Sequence, residues 1–126
     1  MDLRELSASE TEIMREVWSV DEDLQIGELT ERILEKYGKE HKPSTMRTFL
    51  ARLLEKKYIT TYRIGRYSFV HAEISEEEYK EMLATKQVNL WHHGSLADFF
   101  CAFKNAEKIS KEEAQKIREL IDGMEE

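Results

Sequence analysis

One cysteine, one proline and five glycines are spread through 126 residues, and no long hydrophobic run occurs among them. A lone Cys101 excludes an intramolecular disulfide and any metal site built on cysteine pairs, so a reducing, cytoplasmic setting is the default expectation. Scarce proline and glycine leave little room for long irregular loops. No segment approaches ~18 consecutive apolar residues, and the opening MDLRELSASE lacks the apolar core of a signal peptide, so neither membrane insertion nor export by that route is expected. A Gly-rich phosphate loop, a nucleophile elbow and a Ser/His/Asp arrangement are all missing. Neither an enzyme nor a cofactor is therefore expected. What is present is 36% charged and 40% apolar residues, rich in Glu, Lys, Leu and Arg, which suits charged helices in one domain or in a small domain with a helical appendage.

The charge is unevenly placed. The chain carries a net −7, yet from Lys36 to His71 nine basic residues face only Glu40 and Glu55, a local +7 that leaves −14 for the rest. Such polarisation lets one face attach to a polyanion while the remainder stays unattached.

Three Ser-x-x-Glu capping boxes mark helix starts at Ser7/Glu10, Ser75/Glu78 and Ser110/Glu113. The first helix is expected over about Ala8 to Trp18, with Ile13, Val17 and Trp18 at helical spacing and Met14 beside them, and is broken by the acidic Val20-Asp21-Glu22-Asp23. A second runs from about Ile26 to Tyr37, with Ile26, Leu29, Ile33, Leu34 and Tyr37 on one stripe and Gly38 as its cap. The third begins after Pro43, a residue suited to the first turn or to the position before it, with Met46, Phe49, Leu50, Leu53 and Leu54 inward. Tyr58 to Ile64 and Tyr67 to His71 are β-branched and aromatic, joined by Gly65-Arg66, and form a hairpin. Three helices closed by a two-stranded hairpin describe a winged helix-turn-helix over residues 1–73, so the expected class is mainly α with a small β-hairpin.

Residues 74–126 read as a helical dimerisation domain. Tyr79, Met82 and Leu83 make only a thin apolar face on the helix after Ser75, whereas Leu96, Phe99, Phe100 and Phe103 form a dense stripe. Ile109, Ile117, Leu120, Ile121 and Met124 form another. Two short helices cannot bury that much surface on each other, when full burial of each large apolar side chain is worth about 1.5–3 kcal/mol. A homodimer held through Tyr79, Leu83, Leu96, Phe99, Phe100, Phe103, Ile117, Leu120 and Ile121 is expected.

The outward face of the third helix holds Ser44, Thr45, Arg47, Thr48 and Arg52, side chains suited to base edges and phosphates in a major groove. Lys42 precedes them, and Arg63 and Arg66 lie on the wing, with Lys57 in support; the expected partner is double-stranded operator DNA. The bland alternative is a solvated basic face on a winged-helix module that docks proteins, which the acidic pI of about 5.2 favours. His71, His92, His93 and Cys101 suggest a metal, but adjacent histidines diverge on a helix and no i, i+4 ligand pair stands there, so no metal site is expected. Cys101 reads as a buried, apolar-like residue, the two histidines as loop residues before Gly94, and Trp18 and Trp91 as packing anchors. Glu76, Glu77 and Glu78 read as charge against a helix dipole.

LSASETEIMREVW, PSTMRTFLARLLEKKYI, IGRYSFVHAEISEEEY and GSLADFFCAFKNAEKISKEEAQKIRELID together resemble the BlaI/MecI/CopY family of penicillinase and methicillin-resistance repressors and their copper-responsive relatives. The resemblance spans nearly the whole chain. It implies a cytoplasmic dimeric repressor, with a winged helix on each half of a pseudo-palindromic operator and a helical C-terminal segment that dimerises. Ser44, Thr45, Arg47, Thr48 and Arg52 match the family's DNA-facing positions, although the family often has Lys at Ser44 and Asn at Ala51. It also implies release by cleavage at an Asn-Phe pair under a membrane sensor-protease pathway that responds to β-lactams. The matching pair here is Ala102-Phe103, which lacks the Asn. The copper-responsive branch uses a cluster of C-terminal cysteines, for which this chain has Cys101 alone.

Overall fold

The structure, a computed structural model, describes residues 3–124. Helices α1 (Ala8–Trp18), α2 (Ile26–Tyr37) and α3 (Pro43–Glu55) are followed by the strands β2 (Ile59–Ile64) and β3 (Tyr67–Ala72). A short β1 (Leu24–Gln25) precedes α2, and α4 (Glu76–Trp91), α5 (Leu96–Ala106) and α6 (Lys111–Met124) complete the chain. The chain divides into two compact units, Met1–Leu83 and Ala84–Glu126.

Local chemistry sets most of these boundaries. Ser7 Oγ accepts from the Glu10 N–H at 3.2 Å while Glu10 Oε1 accepts from the Ser7 N–H at 2.7 Å, so α1 starts on a complete capping box. The same reciprocal pair forms between Ser75 and Glu78 at the start of α4, and Ser110 Oγ accepts from the Glu113 N–H at 3.1 Å at α6. Gly38 ends α2 in the left-handed region at φ 65°, returning its N–H to Leu34 O at 2.9 Å. Gly65 has φ 62° and Ile64 pairs with Tyr67 across it, which is the two-residue hairpin that a glycine in the first central position allows.

The first unit's core joins Ile13, Met14 and Val17 of α1 to Leu29 and Ile33 of α2 and Met46, Leu50 and Leu53 of α3. Tyr58, Ile59, Leu24 and Val70 close it from the sheet. The expected stripes hold with two outliers, since Leu34 and Leu54 remain 44% and 40% exposed at the stripe edges.

Several findings depart from what the sequence leads one to expect. The sheet has three strands in the order β1-β3-β2, because Leu24 and Gln25 pair antiparallel with Val70 and Phe69. Two residues after an acidic run carry no alternation from which a strand is legible. Tyr79, expected at a dimer interface, is instead buried in the first unit: its hydroxyl accepts from the Leu6 N–H at 3.2 Å, and its ring lies 5.8 Å from both Trp18 and Tyr58. Met82 and Leu83 pack partly against the same core, so the units divide inside α4 and not near residue 73. Cys101, expected to be buried, is exposed on α5.

In the second unit neither α5 nor α6 buries a single side chain. Leu96, Phe99, Phe100, Phe103, Leu120 and Ile121 are all exposed, and Ile117 is half-buried. Trp91, read as a packing anchor, is 68% exposed at the end of α4, whereas Trp18 fills that role, donating from Nε1 to Ile74 O at 2.8 Å. His92 and His93 lie in the loop after α4, where His92 Nδ1 meets Asp98 Oδ2 at 2.7 Å and its ring meets Phe99 edge-on. No helix among the described residues is long and apolar enough to cross a membrane.

Candidate nucleic-acid interface

At 100° per residue, Ser44, Arg47, Thr48 and Ala51 share the face of α3 opposite Met46, Leu50 and Leu53, with Arg52 at its flank. All five are exposed, and Thr45 is half-buried at the edge. Lys42 is the N-cap and makes no side-chain cap, so the first-turn N–H groups behind Pro43 remain open to an anionic acceptor. Thr48 Oγ1 donates back to Ser44 O at 3.1 Å, which holds that hydroxyl against the helix.

Not all of the basic island belongs to this face. Lys56 Nζ lies 2.6 Å from Glu10, Lys36 Nζ 3.4 Å from Glu16, and Lys39 Nζ 2.8 Å from Glu12. Three of the nine cations are therefore neutralised by carboxylates of α1. Lys42, Arg47, Arg52, Lys57, Arg63 and Arg66 have no ion-pair partner among the described residues. Charge counting along the sequence missed this sorting, because the pairs span 20 to 46 positions.

The wing is braced from behind. Tyr62 of β2 donates from its hydroxyl to Asp23 Oδ2 at 2.6 Å, and His71 Nδ1 of β3 lies 2.8 Å from Asp23 Oδ1. The hydrogen bond from Tyr62, then that from His71, holds the Asp23 carboxyl below the ordinary aspartate range. The bond to Asp23 and its charge raise His71 above the ordinary histidine value. At the tip, the Arg66 guanidinium lies 5.3 Å over the Tyr67 ring and donates to its hydroxyl at 3.3 Å, a stacked pose that sequence inspection did not anticipate. Between wing and helix lies a recess of about 620 Å³, bordered by Thr30, Arg47, Ala51, Thr61, Arg66 and Tyr67. Its floor is largely apolar, with Ile26, Met46, Leu50 and Leu54, and Arg47 of α3 and Arg66 of the wing both lie on its border.

Of the remaining sites, Ala102 and Phe103 sit inside α5, one turn before its end, and both are exposed. No group of three or more His, Cys, Asp or Glu converges to hold a metal among the described residues.

A three-helix core, an exposed polar third helix and a braced hairpin define a winged helix-turn-helix protein. The solved structures agree: the DNA-binding domain of the repressor BlaI aligns with a TM-score of 0.53 and 23% identity, covering 62% of this chain and 92% of that one. Bacillus licheniformis BlaI, solved in monomeric form with the blaP half-operator, aligns at 0.50 and 23% identity, with the same coverage. The penicillinase repressor family model matches residues 6–123, and the chain belongs to that family. Among curated relatives, the penicillinase repressor of Staphylococcus aureus is 25% identical over 120 residues, 95% of this chain and 93% of its own length. The methicillin resistance regulatory protein MecI of S. aureus strain N315 is 22% identical over 118 residues, 94% of each chain.

Proposed function

We propose that this chain is a homodimeric, sequence-specific repressor that binds a pseudo-palindromic operator in double-stranded DNA. The observation that carries the reading is the sorting of charge in the first unit. Lys36, Lys39 and Lys56 are paired to carboxylates of α1, while Lys42, Arg47, Arg52, Arg63 and Arg66 stay unpaired around the exposed Ser44 and Thr48 and the half-buried Thr45. A relative solved on a half-operator supports the same partner class here. In this reading Arg47 and Arg52 face base edges, Ser44, Thr45 and Lys42 take phosphates at the helix start, and Arg63 and Arg66 follow the backbone along the wing.

The dimer is carried by the second unit. Leu96, Phe99, Phe100, Phe103, Ile117, Leu120 and Ile121 supply the apolar surface that a second copy covers, whereas Tyr79 and Leu83 pack against the first unit's core. Two-fold symmetry then places two recognition helices on half-sites about 34–36 Å apart, or a multiple of that spacing. Release by cleavage at Ala102-Phe103 would require α5 to unwind, since proteases favour exposed, irregular segments.

A mobility-shift titration with operator DNA tests the interface. Arg47→Ala or Arg52→Ala should weaken binding by about 1–3 kcal/mol if that arginine reads a base. Six unpaired cations per protomer allow a salt slope of up to about −5 per protomer. If neither substitution weakens binding, α3 is not the reading helix.

A further inference from the structure

Two glutamates of α1 are buried to 1% exposure, Glu10 and Glu16, and each grips a different helix of the helix-turn-helix pair. Glu16 faces α2 through Arg32 at 4.0 Å and Lys36 at 3.4 Å. Glu10 faces the end of α3: its Oε1 accepts from Lys56 Nζ at 2.6 Å, and the same ammonium donates to Glu5 O at 3.1 Å. Around this pair the strand of chain before α1 meets the end of α3 twice more, through Arg4 with Glu55 at 3.6 Å and through the Tyr58 hydroxyl, which donates to Arg4 O. Burial pushes the Glu10 carboxyl up, yet Lys56 and the Ser7 N–H outweigh it and hold the group below the ordinary glutamate value, so the pair is ionic. Replacing a buried ion pair by apolar residues of similar volume is often neutral for stability. Beyond the capping box that Glu10 completes at α1, the pair therefore bears on geometry. Lys56 is the C-cap of α3 and returns its N–H to Arg52 O at 2.9 Å, so the turn that Glu10 holds is the turn that carries Arg52.

We infer that Glu10 and Lys56 are positioning residues that set the height and tilt of the recognition helix on DNA, without touching DNA themselves. This rests on the DNA-binding reading above, and deepens it by adding α1 to the recognition machinery. With the pair in place, Arg52 and Arg47 are presented at one fixed depth. Without it, α3 remains folded on its apolar face but shifts relative to the wing.

The test compares the full-length wild type with E10M/K56M, a substitution neutral in net charge. Both are titrated, at several salt concentrations, with the duplex that the wild type selects from random-sequence DNA and with an unrelated duplex of equal length; thermal unfolding is followed by circular dichroism. E10M/K56M is expected to fold, to lose about tenfold or more in affinity for the selected duplex, and to bind the unrelated duplex as the wild type does, with an unchanged salt slope. Equal affinity for the selected duplex overturns the inference. So does a loss shared by the unrelated duplex, or a slope shallower by about one unit, which identifies Lys56 as a phosphate contact. Should E10M/K56M not fold, E10Q replaces it, keeping an acceptor for the Ser7 N–H while removing the charge; the same selective loss supports the inference, and unchanged or higher affinity overturns it. A wild type that selects no duplex at all overturns the DNA-binding reading itself, and this is seen before any variant is compared.

Discussion

Replacing Tyr79 separates two accounts of α4. If the residue belongs to the first unit's core, its loss destabilises the winged helix of every molecule; if it lies at a subunit interface, its loss weakens association. The ring is 8% exposed, lies 5.8 Å from both Trp18 and Tyr58, and its hydroxyl is the acceptor for the buried Leu6 N–H at 3.2 Å. Tyr79→Phe keeps the packing and orphans that N–H, which costs about 1–3 kcal/mol. Tyr79→Ala also empties the space between two aromatic rings, for a total of about 3–5 kcal/mol. Trp18 reports directly on the site, so urea titrations can follow its fluorescence in a Trp91→Phe background, at a micromolar and a tenfold higher protein concentration. The same loss of unfolding free energy is expected at both concentrations, larger for Ala than for Phe. A loss that disappears at the higher concentration, or a Tyr79→Ala variant as stable as its parent, would refute the assignment of Tyr79 to the first unit.

Three further outcomes follow from named contacts. Lys56→Ala strands the buried Glu10 carboxylate and should cost about 3 kcal/mol in a denaturant titration; a variant as stable as the wild type contradicts the buried pair. Gly65→Ala meets no atom within 4 Å but forces φ 62° on an L side chain, so about 1–2 kcal/mol should be lost and the wing's cross-strand contacts in NMR weakened. His71 has its folded pKa raised above 6.5, so its bond to Asp23 contributes fully below that value and is lost as pH rises through the raised one. Asp23 is lowered below 3.8, so the acid limit comes only as pH falls through that lowered value. The thermal midpoint difference between wild type and His71→Ala, measured from about pH 5 to about pH 9, should shrink toward the alkaline end; a constant difference contradicts the tether.

Where a local rule decides an element, the sequence was legible. Ser7 with Glu10, Gly38 after Tyr37, Pro43 ahead of Ser44 and the Gly65-Arg66 turn each act within four positions, and each lies where those rules put it. The exposed row Ser44, Arg47, Thr48 and Arg52 was legible for the same reason, since helical spacing alone separates it from Met46, Leu50 and Leu53. What was hidden depends on distant partners. Leu24 and Gln25 are a strand only because β3 offers them an edge. The apolar spacing of Tyr79 and Leu83 shows that they are covered, but not whether by Trp18 and Tyr58 or by a second chain. Lys36, Lys39 and Lys56 look like Arg47 and Arg52 in a charge count, and only the fold reveals that Glu16, Glu12 and Glu10 claim them. Cys101 follows the same logic, since its burial would need a partner that one chain does not supply.

The central claim is that α3 and the wing read a specific operator in a two-fold arrangement. Selection of bound sequences from random duplex DNA by the full-length protein tests it most directly. A reproducible motif with two-fold symmetry is expected, whose half-site centres are separated by about one helical turn or a multiple of it. A pool that shows no enriched sequence after repeated rounds would contradict it and favour a module that docks proteins through its acidic surface.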